Sequence, residues 1–307
     1  MRTLLKKILF GISHPQEYIC AAAGDVENIT DCFLLTNNKK IKITGELLFL
    51  GYSPLIMCWT AESFPGNEIQ VSLEHGAKVM AVLHLEFLQK CTAGKKEIFL
   101  YKGISSGQHF ESAFHQYMFR IYDRLRPKHG FNIDLSPQLY NQVKIAYSIP
   151  REIKLVSLGD GKDWNIFPTD LHGFAGDSHY IISLRHDKKA SKQVEEIRKL
   201  ALWTINNAFA KTAYALGKNH SKNLSASPGS FTGNKSSALH FPEPEGAISG
   251  IELELEKTIG DYGVHRLFLF KIISGERNDM PEKLIHLHRS YVQWHIKNGF
   301  KFTEAKR

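Results

Sequence analysis

The chain has 307 residues, 43% hydrophobic and 23% charged, with 39 Lys and Arg against 31 Asp and Glu and a formal net charge of +8. These are globular proportions, which exclude wholesale disorder and collagen-like repeats, and the length allows two domains. The longest nearly apolar stretch, residues 47–59, is broken by Gly51, Ser53 and Pro54. It is shorter than the about 20 residues a membrane-spanning helix needs, so no membrane association is expected.

The N-terminus carries Arg2, Lys6 and Lys7, but its apolar core, residues 8–12, is shorter than the roughly 7–15 residues of a secretion signal. A cytoplasmic location is therefore the expectation. Cys20, Cys32, Cys58 and Cys91 form no CxxC pair and lie in apolar surroundings, which predicts buried thiols rather than disulfides or a zinc site.

Residues 31–36 and 41–50 read as two strands joined by an Asn-rich turn, followed by strands at 67–75, 78–88 and 95–103. From Gln108 the period changes: Phe110, Phe114, Tyr117, Met118, Ile121 and Leu125 fall at helical spacing, and Pro127 ends the run. Residues 1–135 are thus a β-rich domain with one packed helix and no catalytic motif. Pro137 and Pro150 bracket a polar stretch, read as a linker over 136–150, and no internal repeat is apparent between the two parts.

The second domain, 151–307, restarts with a strand at 152–158, a Gly159-Asp160-Gly161 turn, a strand around Trp164, and another at 179–184. A helix with Val194, Ile197 and Leu200 on one face follows, then a strand at 202–206. A Ser-, Asn-, Gly- and Lys-rich stretch spans 217–244, longer than structureless connections in compact domains usually are. Ile251, Leu253 and Leu255 alternate with glutamates in the next strand, and 265–273 is its partner. The fold class is mainly β with a few helices, the second domain a small barrel.

The charge is local. Residues 185–235 hold ten basic and three acidic side chains, an excess of seven against eight for the whole chain. Such a concentration favours an anionic partner. Phe231 is the only aromatic residue in the 217–240 loop, which argues against a nucleic-acid surface built on stacking. Lys188, Lys189 and Ser191 stand at a predicted helix start, where free N–H groups and the helix dipole favour phosphate; Ser191 could equally be no more than a cap.

The order KLVSLGDGKDWNIFPTD, YIISLRHDKKASKQVEEIRK, LWTIN and GDYGVHRLFLFKII resembles the flavin reductase-like family of FMN-binding split-barrel proteins, over about 140 residues. The resemblance implies that Asn165, Pro168, Thr169 and Asp170 line the flavin, that Arg185, Lys188, Lys189 and Ser191 hold the FMN phosphate, that Asn206 ends a strand beside the ring, and that His265 lies near the reactive face. It further implies an NAD(P)H-dependent flavin reductase or flavoredoxin-like electron-transfer protein, a homodimer, and an unidentified electron acceptor. On the residues alone, Pro168 also fits an edge strand, Asn165 and Asn206 turns, and His265 an ordinary strand histidine. A non-catalytic FMN-binding module is one alternative. A pyridoxamine-phosphate-oxidase-like enzyme is another, needing a basic pair near the C-terminus where Arg289 is the obvious candidate. His286, His288 and His295 lack a Cys or carboxylate at ligand spacing, and no metal is expected.

Overall fold

The computed structural model describes residues 17–304 except 27–29, 37–38, 126–132, 134, 227–228, 230, 276, 278 and 302. The first half holds β1 (Tyr18–Ala22), β2 (Asp31–Thr36), β3 (Lys39–Lys42), β4 (Leu48–Tyr52), β5 (Leu55–Ala61), β6 (Glu68–His75), β7 (Lys78–Ala93) and β8 (Lys96–Gln108), then helices α1 (Ala113–Leu125) and α2 (Pro137–Ala146). The second half holds β9 (Arg151–Glu152), β10 (Lys154–Gly159), β11 (Trp164–Thr169), β12 (His172–Phe174), β13 (His179–Arg185), α3 (Lys189–Ile197), β14 (Lys199–Ile205) and α4 (Ala210–Leu216). It continues with β15 (Phe231–Lys235), β16 (Pro242–Pro244), β17 (Ala247–Tyr262), β18 (His265–Ser274), β19 (Leu284–His288) and α5 (Arg289–Lys297). The mainly β class expected from the patterning is what forms.

Two seven-stranded antiparallel sheets dominate. The first runs β3-β2-β6-β7-β8-β5-β4 and the second β11-β10-β14-β17-β18-β13-β12. Replacing each strand of the first by its counterpart in chain order reproduces the second, apart from the small β15-β16 ribbon inserted between β14 and β17. The expectation of no internal repeat is therefore corrected: the repeat lies in the backbone pairing. It is hidden in the side chains because alternating apolar residues of many kinds satisfy the same pleat.

Three further differences from the sequence reading have local causes. Residues 41–50 form β3 and the start of β4 rather than one strand, with Gly45 at φ +80° in the turn between them. The stretch 136–150 holds α2: Ser136 caps it through Leu139 N–H (3.3 Å) and Pro137 occupies the first turn, where no donor is lost. Residues 284–288, given no element in the sequence reading, form a strand; β19 pairs with both β1 and β9 in a three-stranded sheet. That sheet and α5, whose Tyr291 and Val292 are buried in the first half's core, tie the chain's last segment back to its beginning.

A separate apolar core joins the halves. Leu50, Ile56, Cys58, Ile98 and Leu100 from β4, β5 and β8 meet Ala175, Ile181, Leu267 and Leu269 from the β12–β13 turn, β13 and β18. Cys20, Cys32 and Cys58 are buried as expected, while Cys91 is only half-buried; all four are free thiols. No helix among the described residues is long and apolar enough to cross a membrane.

Candidate functional site

Helix α3 follows β13 after a tight loop in which Lys188 N–H donates to Arg185 O (3.1 Å). Lys188, not Ser191, is the N-cap, and its side chain makes no capping bond. Ser191 therefore stands inside the first turn, fully buried, and its Oγ has no hydrogen-bond partner among the described residues. The capping reading of Ser191 is thereby removed. A buried hydroxyl beside an uncapped helix start is the arrangement that receives an anion.

The basic side chains around it are partly engaged. Arg185 grips Asp187 with two bonds, Nε to Oδ1 (2.9 Å) and Nη2 to Oδ2 (2.7 Å), and Lys188 Nζ lies 3.6 Å from the same carboxylate. Lys189 is exposed and donates to Asn223 Oδ1 (2.9 Å). Asp187 is a counter-charge that a bound anion would compete with.

The loop expected to be irregular supplies a wall. Asn165 is buried and its Nδ2 donates to Gln193 Oε1 of α3 (2.7 Å) and to Asn219 O (3.2 Å); Asn219 Nδ2 returns a bond to Ile166 O (2.8 Å). His220 Nε2 donates to Pro168 O (2.8 Å). Burial holds the His220 ring below its ordinary pKa, and the charges of Lys188 and Arg185 push the same way, which brings the 168 and 185–188 segments into one electrostatic neighbourhood. Thr169 is buried at the end of the same strand.

His265 pairs in register with Arg185 across β18 and β13. Its Nδ1 contacts Ser183 Oγ (3.2 Å), while Nε2 is buried with no hydrogen-bond partner among the described residues. Burial, with the Arg185 charge, lowers its pKa to about 4, so the ring is neutral at pH 7. Tyr52, from the first half, closes on it edge-to-face at 4.4 Å between ring centroids; burial raises the Tyr52 pKa and the nearby Arg185 charge opposes that rise.

Two expected residues lie elsewhere. Asn206 is at the end of β14 opposite Lys199, where its Oδ1 accepts from Ala208 N (2.9 Å) and caps a 3-10 turn. Asp170 accepts from His286 Nδ1 (2.7 Å) and faces Arg151 Nη2 (3.3 Å); burial would raise its pKa, but Arg151 and His286 outweigh that and hold the carboxyl well below its usual range. It lines a cavity of about 370 Å³ between the halves, with Phe49, Arg151, Lys154 and His172. Arg289 is buried at the start of α5, and its backbone N–H donates to Glu17 O (2.9 Å). Among the described residues no group of three metal-ligating side chains occurs.

The sequence reading did not single out Tyr52, Asp187, Gln193, Asn219 or His220. His220 was the legible one, a histidine within the basic loop; Tyr52 lies 133 positions from Arg185, and no local signal joins them. The sequence matches no family description and no curated protein. Among solved structures, the chain is similar to the flavin reductase component of a bacterial two-component tryptophan halogenase (14% identity, 55% of this chain and 99% of that one, TM-score 0.42). It is also similar to the styrene monooxygenase flavin reductase of Pseudomonas putida S12 (13%, 54% and 99%, TM-score 0.40) and to an FMN-binding protein from Thermus thermophilus (15%, 41% and 70%, TM-score 0.35).

Proposed function

We propose that residues 151–307 form an FMN-binding domain of split-barrel type and that the protein is an NAD(P)H-dependent flavin reductase or a flavoredoxin-like electron-transfer protein. One observation carries this reading: the Ser191 hydroxyl is buried without a protein partner in the first turn of α3, at a helix start without a side-chain cap, flanked by Arg185 and Lys188. A phosphate monoester fits that set, because its oxygens accept hydrogen bonds and Ser191, Arg185, Lys188 and the free N–H groups of the first turn donate, with Asp187 the counter-charge it would compete with.

In this reading Arg185, Lys188 and Lys189 balance the phosphate charge and Ser191 donates to it. Asn165, fixed by Gln193 and Asn219, gives the ring and ribityl chain a rigid polar wall, together with Pro168 and Thr169. Asp170 fixes Arg151 and His286 behind that wall, and Asn206 shapes the far end of β14. His265, neutral at pH 7, presents Nε2 to the ring edge without placing a charge there. When bound, the flavin supplies the hydride-accepting and electron-passing chemistry. The protein's part is to hold and orient, and no proton needs to leave a side chain for that.

The test is the visible spectrum of the purified full chain before and after anaerobic NADH or NADPH. A yellow band that bleaches is expected for the reductase. A stable yellow band reduces the reading to a flavin binder, and no band with no FMN uptake in titration rejects it.

A further inference from the structure

The two sheets do more than share a strand order: they meet through the same strands. Residues of β4, β5 and β8 pack against the β12–β13 turn, β13 and β18, which are their counterparts, so the contact between the halves is isologous, the kind a two-fold axis generates between identical subunits. The hairpin tips carry the clearest residue-level trace. Ala93-Gly94-Lys95-Lys96-Glu97-Ile98-Phe99-Leu100-Tyr101-Lys102 aligns without gaps on Tyr262-Gly263-Val264-His265-Arg266-Leu267-Phe268-Leu269-Phe270-Lys271. Gly94 and Gly263 have nearly the same left-handed backbone, φ +58° and +59°.

The contacts repeat as well. A Cβ on Gly263 would lie 1.8 Å from Ser53 O, in the β4–β5 turn of the first half. A Cβ on Gly94 would lie 3.1 Å from His179 and 3.5 Å from Ser178 Oγ, at the β12–β13 turn of the second half. Each half thus inserts its glycine tip against the corresponding turn of the other.

The two resulting seams are not alike. At one, Val264 N–H donates to Ser53 O (3.2 Å), His186 Nε2 donates to Gly263 O (2.9 Å), and the Tyr52 ring packs on His265, the register partner of Arg185. At the other, the counterpart of His265 is the exposed Lys96, and β5 runs to β6 through residues 62–67 without a helix. The related seam therefore has no equivalent of α3, of buried Ser191, or of the Arg185–Lys188 pair.

We propose that the amino-terminal half serves as the counterpart subunit of an internal dimer: it lends Tyr52 to the site of the second half, so that one chain forms one complete flavin site as a monomer and forms none at the related seam. This rests on the flavin reading above and replaces the homodimer implied by the family resemblance. Tyr52 is a positioning residue that packs on His265, the register partner of Arg185.

Native mass spectrometry of the full chain titrated with FMN, paired with FMN and riboflavin affinities for Tyr52→Phe, tests it. The wild-type chain is expected as a monomer carrying one FMN. In Tyr52→Phe the ring stays against His265 while the polar hydroxyl in the neighbourhood of the Arg185 charge is lost, so the preference for FMN over phosphate-free riboflavin falls at least threefold and riboflavin affinity holds. A general loosening would weaken both flavins alike, and that result overturns the proposal, as does an unchanged preference, two FMN per chain, or FMN uptake by a two-chain assembly alone. In those cases FMN still binds and the flavin reading stands. A wild-type chain that takes up no flavin overturns both.

Discussion

Glu252 is the hinge-pin of the long polar connection, and its removal is a sharp test of how that segment is held. Its carboxylate is buried and accepts five bonds: from Ser236 Oγ (2.5 Å), Ser237 Oγ (3.2 Å), Ala238 N (2.8 Å), Leu239 N (2.5 Å) and Ser274 Oγ. Burial alone would raise its pKa, but the hydroxyl and backbone donors of Ser236, Ser274, Ala238 and Leu239 overcome it and bring it from 4.5 to about 2. At about 1.4 kcal/mol for each tenfold change in proton affinity, the ionised form is stabilised by roughly 3 kcal/mol on folding. The folded pKa lies below the unfolded one. The stabilisation is therefore complete above about pH 5 and is lost as the pH falls from there towards 2.

Glu252→Gln replaces an acceptor oxygen by an NH₂ group facing donors. The Ala238 and Leu239 amides are then expected to exchange with solvent about a hundredfold faster at pH 7, the ratio that roughly 3 kcal/mol implies. In urea unfolding the gap between wild type and variant is expected to be about 2–4 kcal/mol at pH 7 and under about 1 kcal/mol near pH 2. Amide exchange unchanged by the substitution, or a gap that persists undiminished to pH 2, would refute the reasoning.

Ser191→Ala is expected to leave the melting temperature within about 2 °C of wild type, because the hydroxyl has no protein partner to lose, while FMN affinity drops about tenfold; isothermal titration reads the second and calorimetry the first. Gly263→Ala combines a left-handed backbone with a Cβ driven into the Ser53 carbonyl, and about 3–5 kcal/mol of destabilisation is expected in urea. Gly94→Ala, with the same φ but a looser 3.1 Å approach to the His179 ring, is expected to cost about 1–2 kcal/mol in the same assay. Asp170→Asn leaves the buried Arg151 without its counter-charge and is expected to destabilise by about 3–5 kcal/mol, an effect that Arg151→Met in the same chain relieves in a double-mutant cycle.

What could be read from the sequence follows from how each element is buried. Along β17 the apolar Ile251, Leu253 and Leu255 are buried and alternate with Glu252, Glu254 and Glu256, of which Glu254 and Glu256 stay half-buried, so the strand announces itself. β5 is buried on both faces over Leu55–Trp59, and without alternation the β4–β5 hairpin merges into one apolar stretch. Helix α2 reads as a polar linker because Gln142 and Lys144 are polar yet buried. Lys144 is admitted by Glu111, whose sequence position 33 residues away gives no hint of the 2.8 Å ion pair. The basic excess at 185–235 was legible as charge, and Ser191 as a residue near a helix start. That the cap is Lys188, and the serine consequently inside the turn, depends on where β13 releases the chain.

The asymmetry between the halves explains why a β-rich domain without motifs accompanies one that has them. Both sheets have the same strand order, and the faces they turn to each other are buried in a shared core. Between β13 and β14 the second half adds α3, which brings a helix start, a buried hydroxyl and a cluster of lysines to the seam. The first half closes the same connection through residues 62–67 and keeps its turn against Gly263. In the internal-dimer proposal the site lies where α3 meets the partner turn, and residues 1–135 would show no catalytic signal because their contribution there is a surface and one tyrosine, presented by the same pairing that hides the repeat.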